Sequence, residues 1–144
     1  MRQCFLNILE ERVFAIPMVT TRAGWEMFVG PVIFIGELRS VSDREVGAST
    51  LYAVESYSND VPDEIVDTLL LDNSISRYGF KSYKPFFKKC LQMSVVEYGD
   101  KFELTPYARV TKGIGATPLD TVLFSTGTPE DLGRAVRQCI SLCR

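Results

Sequence analysis

The chain has 144 residues, 46% of them apolar and 24% charged, with a net charge of −2. That balance belongs to a globular domain long enough to bury its own core and excludes a disordered segment. It holds no histidine, so a catalytic triad, a cysteine–histidine dyad and a mixed Cys/His zinc site are all excluded. Proton transfer would fall to carboxylates, lysines, tyrosines or a cofactor, and the expectation shifts from an enzyme to a binding protein that carries no cofactor and no metal.

In chain order, the first ten residues show no uninterrupted apolar core and no small-residue cleavage site. No signal peptide is expected, and the protein should stay in the cytoplasm where it is made. Arg12 to Thr20 reads as a β segment, with Pro17 pointing to an edge or a break. Trp25 to Glu37 reads as one long or two short buried strands, interrupted at Gly30-Pro31. The longest apolar stretch, Phe28 to Ile35, is far short of the roughly 20 residues that cross a bilayer.

Ser42 opens a helix, since Glu45 stands three residues later as a capping box requires. Val46, Thr50, Val54 and Tyr57 then recur at helical spacing. Pro62 to Leu70 predicts a short amphipathic helix with acids in its first turn. A second capped helix is expected from Ser82 to about Gln92, with Pro85 tolerated in the first turn.

Met93 to Pro106 predicts a hairpin about Gly99-Asp100. In that register Met93, Val95, Phe102 and Leu104 face a core, and Ser94, Val96, Tyr98, Lys101, Glu103 and Thr105 face mostly water. Leu119 to Ser125 reads as a further strand. Thr128 caps a last helix, Pro129 takes its first position and Asp131 completes the reciprocal capping pattern; Leu132, Val136, Cys139 and Cys143 make its apolar stripe. The order predicts a single α+β domain over residues 1–144: a mainly antiparallel sheet packed by about three helices.

The four cysteines, Cys4, Cys90, Cys139 and Cys143, show no CxxC spacing and read as reduced, buried, small apolar residues. Cys139 and Cys143 at helical i, i+4 spacing place their Cβ atoms roughly 5–6 Å apart, too far for a relaxed disulfide. Gly113-Ile-Gly115 lacks the third glycine and the following helix of a dinucleotide loop, so it reads as a turn. Ser125 to Thr128 could hold an anion at a helix N-terminus, but capping accounts for the same residues. Glu97 and Glu103 fall on opposite faces of the hairpin and cannot share one acid–base site.

Charge is unevenly placed. Between positions 60 and 72 stand Asp60, Asp63, Glu64, Asp67 and Asp72 with no base, and between 73 and 96 stand Arg77, Lys81, Lys84, Lys88 and Lys89 with no acid. The acidic run is either a solvated surface or a docking patch that steers a cationic partner. The basic run Arg77 to Lys89 interleaves Tyr78, Phe80, Tyr83, Phe86 and Phe87. It has two readings: a surface on which rings stack against single-stranded nucleic acid, or an amphipathic helix whose rings belong to the core.

Two stretches, Gly79 to Cys90 with its following hairpin and Thr128 to Cys143, resemble the CdiI family, the immunity proteins of bacterial contact-dependent growth inhibition (CDI). The segment Glu130-Asp-Leu-Gly-Arg-Ala-Val-Arg137, on a helix that ends in a cysteine, carries most of the likeness. Glu45-Val46-Gly47 looks like a weaker version of that helix start. The resemblance covers about half the chain, residues 73 to 143. It implies a cytoplasmic protein without catalytic residues that binds the C-terminal toxin domain of its cognate CdiA and occludes its active site. Such toxins are commonly nucleases, often acting on RNA. A nuclease cleft is basic because it grips a polyanion, so carboxylates can stand where phosphates would sit. Asp60, Asp63, Glu64, Asp67 and Asp72 are therefore the candidate toxin-binding residues, with the Arg77–Lys89 nucleic-acid surface as the alternative.

Overall fold

The computed structural model describes residues 1–29, 31–65, 74–113 and 115–144. Strands β1 (Arg2–Leu9), β2 (Arg12–Thr21), β3 (Glu26–Phe28), β4 (Ile33–Glu37), β5 (Ser58–Val61), β6 (Leu91–Tyr98), β7 (Lys101–Arg109), β8 (Ala116–Pro118) and β9 (Leu123–Thr126) form one sheet. Its main path runs β3-β2-β1-β6-β7-β8; β4 and β5 also pair with β2, and β9 with β7. Every pairing is antiparallel except β2 with β5. The helices described are α1 (Asp43–Glu55), α2 (Tyr83–Lys89) and α3 (Pro129–Leu142), so the α+β architecture expected from the sequence is the one observed.

The β6–β7 hairpin forms with Tyr98 opposite Lys101 and a two-residue turn in which Gly99 takes a left-handed φ of 61°. Met93, Val95, Phe102 and Leu104 are buried together with Cys4, Leu6, Ile8, Val13 and Ala15. Helices α1 and α3 cover this face, contributing Val46, Ala53, Val54, Leu132, Val136 and Cys139. The opposite face is drier than the hairpin pattern suggested. Ser94 is buried, and the β1–β2 half is roofed by a second cluster holding Phe14, Ile16, Ile75, Phe86 and Cys90.

Both long helices start as their caps dictate. Ser42 accepts from the Glu45 amide at 3.1 Å while the Glu45 carboxylate accepts from the Ser42 amide at 2.9 Å. Thr128 accepts from the Asp131 amide at 3.4 Å with Pro129 at the first position. Asp131 does not complete the reciprocal pair; its carboxylate takes the Thr126 hydroxyl (2.7 Å) and the Arg134 guanidinium (3.1 Å). The hydroxyl bond first, then the neighbouring groups, hold the Asp131 carboxyl below its ordinary range.

Arg137 fastens α3 to the β4–α1 connection. Its guanidinium donates to Asp43 Oδ1 at 2.7 Å, to the Leu38 carbonyl at 2.6 Å and to the Val41 carbonyl. The four cysteines are free thiols, three of them buried and Cys143 half-buried.

Several boundaries differ from expectation. The Trp25–Glu37 region forms the two short strands β3 and β4, as one of its two readings had it, but they are only partly buried and Trp25 lies outside either. Of the strand expected at Leu119–Ser125 only the second half is strand, as β9, while the short β8 precedes it at Ala116–Pro118. Ser82 precedes α2 but makes no side-chain cap, and Tyr57 lies beyond the end of α1. In the region read as a helix over Pro62–Leu70, Asp63–Ile65 form a single 3-10 turn; residues 66–70 lie outside the described residues.

Candidate functional site

Of the five acids singled out, the described residues place three. Asp60 sits in β5, exposed, with a left-handed φ of 54° that aspartate tolerates better than most residues. Its carboxylate pairs with Arg22 Nε at 3.3 Å. Asp63 and Glu64 follow on the 3-10 turn and are exposed. Asp67 and Asp72 lie outside the described residues. The three acids share one end of the sheet because β5 runs parallel to the end of β2, with Val19 opposite Ser58 and Thr21 opposite Val61. The Arg22 amide donates to the Val61 carbonyl at 2.9 Å.

The same end carries exposed aromatic surface. Trp25 is 69% exposed, although its backbone is fixed: its amide donates to Thr21 Oγ1 at 3.1 Å and its carbonyl accepts from the Thr21 amide at 2.9 Å. Tyr57, by contrast, is tied up internally by a hydroxyl contact of 2.5 Å with Thr20. Glu26, next to Trp25, accepts from Gln3 Nε2 at 2.8 Å and so links β3 to β1. Arg2 and Glu97 pair across β1 and β6 at 2.5 Å. That hydrogen bond, more than the charge itself, holds the Glu97 carboxyl below its ordinary value. Tyr98, beyond Glu97 at the hairpin tip, is 50% exposed.

The rings between Arg77 and Lys89 turn inward. Phe86 is buried, and Phe14 meets Tyr78 at 4.8 Å and Phe86 at 5.2 Å between centroids, while Phe28 meets Phe87 at 5.3 Å. Phe80 and Tyr83 pack against the same cluster. Lys81, Lys84, Lys88 and Lys89 remain exposed. The stacking platform that a single-strand binder needs is thus built into the core. Among the described residues no group of three or more Cys, Asp or Glu is arranged to hold a metal ion, and no helix is long and apolar enough to cross a membrane.

Two of the solved structures that match in fold each cover 99% of this chain. A protein of unknown function from Neisseria meningitidis, NMB0488, matches with a TM-score of 0.77, 13% identity and 95% of its own length. A chain of the CdiA-CT/CdiI toxin and immunity complex from Yersinia pseudotuberculosis matches with a TM-score of 0.63, 14% identity and 97% of its length. At these identities the likeness is one of fold. At the level of sequence, no model of a known family matches the chain, and no curated protein does.

Proposed function

We propose that this chain is a cytoplasmic immunity protein that binds the C-terminal toxin domain of a cognate CdiA and blocks it by occlusion, without catalysing a reaction. The observation that carries the reading is the fold shared end to end with a chain of a CdiA-CT/CdiI toxin and immunity complex. An acidic sheet end beside an exposed tryptophan supports it, because a nuclease toxin presents a basic cleft. Asp60, Asp63 and Glu64 form the acidic rim, and Asp67 and Asp72 are the further candidates from the same run of sequence. Their summed field accelerates encounter with a cationic domain and discriminates against anionic ones.

The test is titration of the toxin domain encoded at the same locus with the purified chain. Formation of a stable complex and stoichiometric loss of RNA cleavage are expected. Absence of a complex at micromolar concentrations of both proteins would remove the reading. Within the complex, Asp63→Lys combined with Glu64→Lys should slow association at low salt and leave dissociation nearly unchanged.

A further inference from the structure

The acidic rim explains steering but not tight binding, which comes from a few desolvated anchors, most often Trp, Tyr and Arg. Trp25 (69% exposed), Phe124 (68%), Met1 (61%) and Tyr98 (50%) are large apolar side chains left in water. Strand register brings them to one end of the sheet. Phe124 stands opposite Glu103, Glu103 opposite Val96, and Val96 opposite Gln3; the Gln3 amide then reaches Glu26, the neighbour of Trp25. Thr126, Lys101 and Tyr98 form the adjacent row, and Met1 precedes Arg2, which pairs with Glu97.

Phe124, Glu103, Val96, Lys101 and Tyr98 lie on the face of the hairpin away from α1 and α3, since Phe102 and Leu104 between them point into the helix-covered core. A shallow depression of about 390 Å³ opens beside Phe124, lined also by Lys101, Ser125 and Thr126. From β3 through β2, β1, β6 and β7 to β9 is five inter-strand steps, roughly 24 Å at about 4.8 Å each along the curved sheet. That width suits one side of a standard interface, on the order of 800 Å² per partner.

We infer that Trp25, Tyr98 and Phe124 are the anchors by which this chain holds a basic protein domain, their rings seating apolar side chains and guanidinium or ammonium groups of the partner. Charge complementarity selects that occupant. Arg2 with Glu97 and Arg22 with Asp60 are mutual ion pairs, which leaves Glu26, Asp63, Glu64, Asp100 and Glu103 at this end of the sheet against Lys101 as the free cation among those named. A cation desolvated against a ring and flanked by carboxylates gains from both. Burying a ring of this size removes far more apolar area from water than any rim contact does. The inference rests on the toxin-binding reading and assigns affinity to the rings and encounter rate to the rim.

The experiment measures association and dissociation rates of the locus-encoded toxin domain with the wild-type chain and with Trp25→Ala, Tyr98→Ala, Phe124→Ala and the triple variant. These side chains are exposed, so each variant should keep the wild-type circular dichroism spectrum and urea midpoint. Dissociation at least tenfold faster in Trp25→Ala and Phe124→Ala, with association changed less than threefold and Trp25→Phe recovering most of the loss, is expected. Wild-type binding with all three single variants and the triple variant within twofold of it overturns the anchors while leaving the toxin reading intact. Failure of the wild type itself to bind removes both. Sedimentation of the chain alone gives the remaining outcome: a dimer that the triple variant abolishes would assign the stripe to a second copy and overturn the basic partner.

Discussion

Gly47 and Gly133 occupy equivalent places in α1 and α3 and each makes room for the other helix. A Cβ on Gly47 would meet the Pro129 carbonyl oxygen at 1.8 Å, and one on Gly133 would meet the Asp43 carbonyl oxygen at 1.7 Å. Each glycine lies five residues after its N-cap, Ser42 or Thr128, and each backs onto the first residue of the opposing helix. Arg44 and Glu130, the second residues of the two helices, pair at 2.9 Å across the same crossing. The two helix starts that resemble each other in sequence therefore meet in space as a locally symmetric pair.

Replacing either glycine by alanine should force the helices apart, because the obstructing atoms are backbone and cannot rotate away. Gly47→Ala or Gly133→Ala should each lower stability by about 2–3 kcal/mol, the upper range for an overpacked site. Urea unfolding followed by circular dichroism measures this; a midpoint unchanged in both variants would contradict the close crossing.

Arg137 should be the polar residue on α3 whose loss costs most. Arg137→Met keeps the apolar stem but leaves Asp43 without its partner and the Leu38 and Val41 carbonyls without a donor. Hydrogen bonds to charged groups of this kind contribute about 1.5–3 kcal/mol, and the partial exposure of the pair places the expected loss near the lower end. The comparison variant is Arg134→Met, which removes only an exposed pair with Asp131 and should shift the midpoint little.

Thiol reactivity should be sharply graded. Burial raises the Cys4 thiol and pushes Cys90 up to about 12. The interaction between the neighbouring Cys139 and Cys143 thiols raises Cys139 and lowers Cys143; the half-buried Cys143 sulfhydryl donates to the Gln92 carbonyl at 3.2 Å and to the Cys139 carbonyl at 3.4 Å. The thiolate is the nucleophile, so one thiol should react with a disulfide reagent in the native protein well ahead of the rest. Cys143→Ser should abolish that fast phase. Its persistence would place the reactive thiol elsewhere.

Acid should weaken the fold partly through two carboxyls. Glu97 and Asp131 are held below their ordinary values in the folded chain, by the Arg2 and Thr126 hydrogen bonds respectively. Their stabilisation is complete above the ordinary carboxylate range, near about pH 4, and is lost as pH falls through the lower folded values. Glu97→Gln and Asp131→Asn should each flatten the fall of the urea midpoint between pH 6 and pH 2. A slope identical to wild type in both would show that neither group is linked to folding.

Local grammar made part of this fold legible. The Ser42–Glu45 and Thr128–Pro129 starts and the Gly99-Asp100 turn are short-range devices whose hydrogen bonds close within three residues, so sequence spacing suffices to find them. β1 escaped because both its faces are covered. Leu6 and Ile8 lie under the helices while Asn7 and Leu9 are buried on the other side, so the alternation that betrays a half-wet strand is missing. The acids of the candidate surface were visible as a charge run. Of its aromatic members Tyr98 was legible on the wet face of the hairpin, whereas Trp25 and Phe124 look in sequence like any other core residue, and only the fold shows that they stay outside. The rings of Arg77 to Lys89 taught the converse.

The two long helices and their interlocked glycines press on one side of the sheet, while Tyr98 and Phe124 stand on the other. Mutation can thus reshape the outer side without touching the lock that keeps the chain folded. A surface separated in this way from its scaffold can drift while the architecture stays, and backbones of this fold superimpose although only 13–14% of residues agree.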